Sequence, residues 1–340
     1  MRHGYMRLRQ KLNINPNNIA PIAVLMGSSG NAPMYTTDGI TWQSGTIDAP
    51  LAGSPLAGAY NPETGVYLMT LSTSSTTTMT IATSLDGINW TARAKGSTNN
   101  FGGYGTTSHQ HRLIYSPTFG GFIGISSNNN IVKTVDGVTW QSFGSVSTVL
   151  LNVTNVHDTG NALVIGSFAN DGSGRVIRST NLTSWTTVRS TTASAGDYPY
   201  TFGSTSSAGN IILASNASFT RSTNGGSSWS AYTGPAGSGG SNSRFARSST
   251  GRLVYSSGTF SSSRYSDDNG VTWNPLTGAF GVTSSSRLIV THNDRFIMMP
   301  SSTNAATYSF SVNGIHWEAI PMPMTLTSTG CHIIACPAPA

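Results

Sequence analysis

Short apolar runs recur along the chain, bounded by Gly, Asn, Asp or Pro, and none reaches the length of a helix. VYLMTLS (66–72), GFIGISS (121–127), ALVIGSF (162–168), IILAS (211–215) and RFIMMPS (295–301) are nearly continuous in apolar character. Runs of this length predict strands covered on both faces. Ahead of these runs stand more polar strands that end in turns such as Asn-Pro-Glu-Thr-Gly (61–65), Pro-Thr-Phe-Gly-Gly (117–121) or Asn-Asp (293–294). After each come a third strand, a tight turn closed by Trp, and a fourth, outer strand. The unit is a four-stranded antiparallel meander.

That unit repeats. All seven Trp residues end one pattern: TTDGITW (36–42), SLDGINW (84–90), TVDGVTW (134–140), STNLTSW (179–185), STNGGSSW (222–229), SDDNGVTW (266–273) and SVNGIHW (311–317). Successive Trp residues are 48, 50, 45, 44, 44 and 44 apart. A strand-rich repeat of this period predicts propeller blades. With an arm at 1–18 set aside, the two chain ends together supply one further blade length, so the ring has seven blades. The N-terminal blade has three strands near 21–28, 33–37 and 40–46, and its missing innermost strand is Gly330 to Pro337. The expected architecture is therefore all-β: a basic arm (1–18), then a single seven-bladed propeller of four-stranded blades (19–340). Pairing of the C-terminal strand with the N-terminal blade closes the ring and removes a sheet edge.

The Trp-terminated segments resemble the Asp-box, or bacterial neuraminidase repeat. The copies at 222–229 and 266–273 match its spacing, with Asn224 in place of Asp. The other five are one residue shorter between the acid and the Trp, and Leu182 stands where Gly is expected. In such a turn a short Asp or Asn accepts bonds from following N–H groups, and Gly supplies positive φ. The structural set is Asp38 with Trp42, Asp86 with Trp90, Asp136 with Trp140, Asn181 with Trp185, Asn224 with Trp229, Asp268 with Trp273, and Asn313 with Trp317. Each Trp is expected to bury its ring between outer strands. Nothing in this constellation performs chemistry.

Composition sharpens the reading. Only 9% of the chain is charged, against about 25% in an average protein. Ser and Thr make up about a quarter of it, and there are two Glu and three Lys. Helix-surface residues are thus nearly absent, which excludes coiled coils, helical repeats and most α/β enzymes. The net charge of +6 is concentrated in Arg2, Arg7, Arg9 and Lys11, in a stretch without acids. Such a distribution marks an arm rather than a basic face, so a nucleic-acid partner is not expected. No apolar run is long enough to insert in a membrane. Cys331 and Cys336 are read as reduced core thiols on opposite sides of one strand, and neither a metal site nor a cofactor is expected.

Candidate chemistry is sparse. The Asp-box resemblance implies a sialidase alternative, with an arginine triad, a Tyr nucleophile with a Glu partner, and an Asp acid/base. Glu63 and Glu318, however, fall in a turn and on an outer strand, and the Arg-Ile-Pro signature of that family is missing. A glycosidase needs two positioned carboxyls. His109, His111, Arg112, His157, Arg247 and His292 are candidate channel-lining residues, with His332 on the closing strand and Arg244 and Arg287 nearby. Phe101, Tyr104, Tyr198 and Tyr200, on the loops from outer to innermost strands, are candidate glycan-binding aromatics.

The Ser/Thr/Gly/Asn-rich, Lys- and Glu-poor style resembles bacteriophage virion and tail proteins. It implies a non-enzymatic virion component, made in the bacterial cytoplasm, held to other virion proteins through its arm, with host-surface polysaccharide as a second partner. The alternatives are a glycan-degrading propeller and a cellular assembly factor or lectin.

Overall fold

Six of the seven blades are built from consecutive antiparallel hairpins, the lowest-cost way to cover apolar strands drawn from one stretch of sequence. A computed structural model of the chain describes residues 21–26, 32–48, 54–72, 79–93, 113–125, 129–146, 152–168, 172–191, 199–204, 209–215, 218–235, 243–257, 261–281, 286–290, 294–300, 305–325 and 332–336. These residues form seven sheets and no helix. The arm at 1–18, with Arg2, Arg7, Arg9 and Lys11, lies outside the described residues, as does Cys331.

From the channel outward, each blade has an innermost, a second, a third and an outer strand. The innermost strands are Ser54–Asn61, Leu113–Ser116, Asn152–Asp158, Pro199–Ser204, Arg244–Arg247, Ser286–Val290 and His332–Ala335. Each contacts the innermost strands of both neighbouring blades, so the seven close a ring. The second strands carry the core: Gly121–Ile125, Ile211–Ser215, Leu253–Ser256 and Phe296–Pro300 are buried throughout. Side chains from facing blades interdigitate there, as Leu163 and Ile165 do with Ile123 and Ile125.

Closure occurs as expected. His332–Ala335 runs antiparallel to Ala23–Met26, with Ala23 opposite Ala335 and Met26 opposite His332. The pairing continues one step further, where the Cys336 N–H donates to Ile22 O at 3.0 Å. Cys336 is a buried, reduced thiol, and burial pushes its pKa up to about 12.

Two blades carry a fifth strand that the repeat pattern does not announce. After the first blade's outer strand, Thr46–Ile47 runs on to pair in parallel with the outer strand of the second blade, placing Ile47 beside Trp90. Thr277–Gly278 does the same for the seventh blade, beside Trp317. These straps correct the expectation that every Trp is buried. Trp90 and Trp317 are 2% and 0% exposed, whereas Trp42, Trp140, Trp185, Trp229 and Trp273 are half-buried. A Trp at an outer edge is covered only where the neighbouring blade lends a strap.

Candidate functional site

The Trp-terminated turns share one geometry. In the first, the Thr36 hydroxyl donates to Asp38 Oδ1 at 3.0 Å and accepts from the Gly39 N–H at 2.8 Å. Asp38 Oδ1 then accepts from the N–H groups of Ile40 and Thr41 at 2.8 and 2.7 Å. Asp86 and Asp136 repeat this. Burial pushes these three carboxyls up, but the converging N–H and hydroxyl donors outweigh it and hold all three below the usual range. In the longer turn, the Thr272 hydroxyl and N–H bring Asp268 down to about 2. Asn181, Asn224 and Asn313 take the same acceptor position with neutral amides.

Gly is required in these turns for two reasons. Its φ is positive, for example +73° at Gly87 and +75° at Gly137. The turn also wedges against the preceding blade: a Cβ on Gly137 would meet Thr83 at 2.5 Å, and one on Gly226 would meet Val164 at 2.6 Å. Gly270 and Gly314 lie in the same way on Ile212 and Val254. Leu182, the exception, holds φ +67° and inserts its side chain among Ile123, Ile125 and Ile131. Each turn therefore locks a blade to the one before it.

Other acids do similar work on the same face. Asp158 of the fourth blade accepts from the Ser116 hydroxyl and from Thr118 Oγ1 (2.6 Å) and N–H (3.1 Å) of the third. Asp294 of the seventh blade accepts from the Ser249 N–H and hydroxyl of the sixth at 2.6 and 2.7 Å. Arg252 pairs with Asp267 through two bonds of 2.6 and 2.9 Å and also donates to Asn313 O in the next blade. Arg295 makes the equivalent contact to Asp38 O across the ring closure. Asp48 accepts from the Ala92 N–H beneath a strap. Glu63 sits in an exposed turn beside Tyr115 of the third blade, whose pKa burial and the Glu63 carboxylate raise to about 12, and Glu318 sits exposed on an outer strand.

The channel candidates are partly placed. His157 Nε2 lies 2.9 Å from the Ser204 hydroxyl of the next blade, and its ring stands 6.0 Å from that of Phe202. Burial lowers its pKa to about 4, so the ring is neutral. His332 Nε2–H donates to Gly58 O at 3.2 Å, again bridging innermost strands. Both histidines join blades rather than converge on a common point. Arg244 donates to Ser243 O at 2.6 Å, and Arg247 is half-buried on the same strand. His109, His111, Arg112 and His292 lie outside the described residues, as do Phe101, Tyr104 and Tyr198; Tyr200 and Arg287 are described only as members of innermost strands. Among the described residues no three His, Cys, Asp or Glu side chains gather in a metal-binding group.

A groove went unread in the sequence. It lies between the Trp-terminated turns of the second and third blades, with a volume of about 430 Å³, and is lined by Thr83, Leu85, Asp86, Arg93, Asp136 and Val138. Leu85 and Val138 are 70% and 51% exposed, and Ile40, Val135, Val271 and Val312 stand out from other turns on this face. Their signal was present: each is an aliphatic side chain at one of the two turn positions that face outward, beside the Asp or after the Gly.

No protein-family model and no curated protein matches the chain. Among solved structures, it is similar to a catalytically inactive virginiamycin B lyase from Staphylococcus aureus with quinupristin, at 11% identity, 89% coverage of each chain and a TM-score of 0.57. A streptogramin B lyase structure matches at 10% identity, 90% coverage of each chain and a TM-score of 0.56. YCF48 bound to D1 peptide matches 65% of this chain and 71% of its own, at 17% identity and a TM-score of 0.43. The two lyase likenesses concern the propeller fold alone.

Proposed function

We propose that the protein is a non-enzymatic structural subunit of a bacteriophage virion or tail, a rigid ring attached to neighbouring virion proteins through its basic arm. One observation carries the non-catalytic part: eight of the ten described acids are bound into turns, straps and blade-to-blade locks. A hydrolase or lyase built on this ring would need acid–base groups free to exchange protons near a substrate, and the turn carboxylates Asp38, Asp86, Asp136 and Asp268 are held ionised by fixed donors. The virion part rests on the Ser/Thr/Gly/Asn-rich composition and on the separation of charge between ring and arm. The aromatics Phe101, Tyr104 and Tyr198 are the proposed contacts for host polysaccharide, whereas Tyr200, expected with them on a loop, belongs to the innermost strand Pro199–Ser204.

The test replaces Arg2, Arg7, Arg9 and Lys11 together with Ala in the full chain. The variant should still fold as a propeller and fail to enter particles; normal incorporation would end the anchor reading. Turnover of sialosides, bacterial polysaccharide or quinupristin by the unmodified protein would overturn the non-enzymatic reading.

A further inference from the structure

We infer that the groove between the second and third blades binds the chain's own N-terminal arm, residues 5–12. The inference concerns how the ring holds its arm and stands whether or not the ring belongs to a virion.

The exit of the arm is set by hydrogen bonds. The Ile22 N–H donates to Thr36 O at 2.8 Å, and Ala23 lies opposite Thr36, the residue that opens the first Trp-terminated turn. The chain preceding Ile22 therefore leaves the ring on the face where all seven of these turns project, the face that carries the groove. Ten residues of extended chain reach about 33 Å. Packed sheets stand about 10 Å apart, so Lys11 has ample length to pass from the first blade to the second and third.

The two patterns match. Residues 6–12 read Met-Arg-Leu-Arg-Gln-Lys-Leu. In an extended strand alternate residues face opposite ways, so Met6, Leu8 and Leu12 form one edge while Arg7, Arg9 and Lys11 form the other. The groove offers aliphatic Leu85 and Val138 beside the carboxylates Asp86 and Asp136. Both carboxylates are held ionised by their turns. The one cation in the lining, Arg93, is exposed and tied to the wall of the groove by its Nε–H bond to Thr83 Oγ1 at 2.8 Å, against two carboxylates. Linkage to the same chain supplies an effective concentration in the millimolar range, so modest contacts suffice.

Limited trypsin digestion of the full chain reads the docking directly, because Arg7, Arg9 and Lys11 are cleavage sites. The central variant is Asp86→Asn with Asp136→Asn, which removes charge and leaves the turns intact, since Asn181, Asn224 and Asn313 already fill that position. Cleavage after Arg9 and Lys11 should rise about tenfold in this variant, equivalent to ~1.4 kcal/mol, within what two or three surface ion pairs supply. It should rise similarly in the unmodified chain at about 1 M salt, where the Debye length is ~3 Å. Leu85→Ser with Val138→Ser, at positions too exposed to affect folding, should produce a comparable increase. Equal cleavage rates in all three proteins overturn the inference. Protection that grows with protein concentration and accompanies a dimer in sedimentation also overturns it, since the occupant would then be a second copy. These variants leave the arm's own charges untouched, so their failure is distinguishable from failure of the anchor reading.

Discussion

The Trp42 indole N–H donates to the Tyr308 hydroxyl at 3.1 Å, joining residues from the first and seventh blades. Tyr308, fully buried, donates its own hydroxyl hydrogen to Gly39 O at 2.7 Å. In the turns of Trp90, Trp185, Trp229 and Trp317 the indole instead reaches the turn carbonyl directly, at 3.1, 3.0, 3.1 and 3.3 Å. A Tyr hydroxyl from the preceding blade is thus inserted into the bond, and Tyr232 does the same between Trp273 and Gly270 O. The first of these relays spans the ring closure.

Tyr308→Phe should lower stability by about 1–3 kcal/mol, because it leaves a buried carbonyl and an indole N–H without their shared partner. Tyr232→Phe should cost no more than this, since Tyr232 is half-buried. Thermal unfolding of both variants checks the order. A null effect for Tyr308→Phe would show that the closure does not depend on the relay.

At residue 182, two effects oppose one another. The left-handed backbone costs a non-glycine residue roughly 1–2 kcal/mol, while truncating a buried Leu to Ala costs about 2–5 kcal/mol. Leu182→Ala loses the packing and keeps the strain. Leu182→Gly loses the packing and relieves the strain, so it should be less destabilising than the Ala variant despite removing one more carbon. Denaturant midpoints of the two variants decide the sign.

Acid should act on stability in two windows. His157 has a folded pKa of about 4 against 6.5 in the unfolded chain. The unfolded state binds more protons between these values, so stability falls as pH drops from about 6.5 to about 4. His157→Gln should flatten that segment of the curve. Asp38, Asp86, Asp136 and Asp268 are lowered on folding, so their contribution is present above about 3.8 and disappears as pH falls further, to about 2 for Asp268. Replacing all four by Asn should remove that second slope and lower stability at neutral pH by the contribution the ionised carboxylates make there.

Several features were open to a reader of the chain. The Trp spacing placed the seven turns, the continuous apolar runs marked second strands to within a residue or two, and the orphan run near 332–335 had no partner except the N-terminal blade. Strand period and turn chemistry are local properties, carried by residues within ten positions of one another. The straps at 46–47 and 277–278 escaped notice because two residues have no period and their partners are about 40 positions away. Leu182 departs from its turn's pattern, and its place is explained only by the buried cluster it joins with Ile123 and Ile131 of the preceding blade.

By itself the sequence determined the repeat and the number of blades, because six blades are meanders whose pairing is encoded by near neighbours. It determined the closure because the first blade lacks an innermost strand that only the C-terminal run supplies. Only the tertiary structure decided what the scarce charges do. Asp158 meets Thr118, Asp294 meets Ser249 and Arg252 meets Asn313 across blade boundaries, contacts between residues 40 to 61 positions apart. It also decided which Trp residues are sealed, and it set the aliphatic turn positions of two blades on either side of one groove. Such placements depend on the rotation from blade to blade, which no local pattern contains.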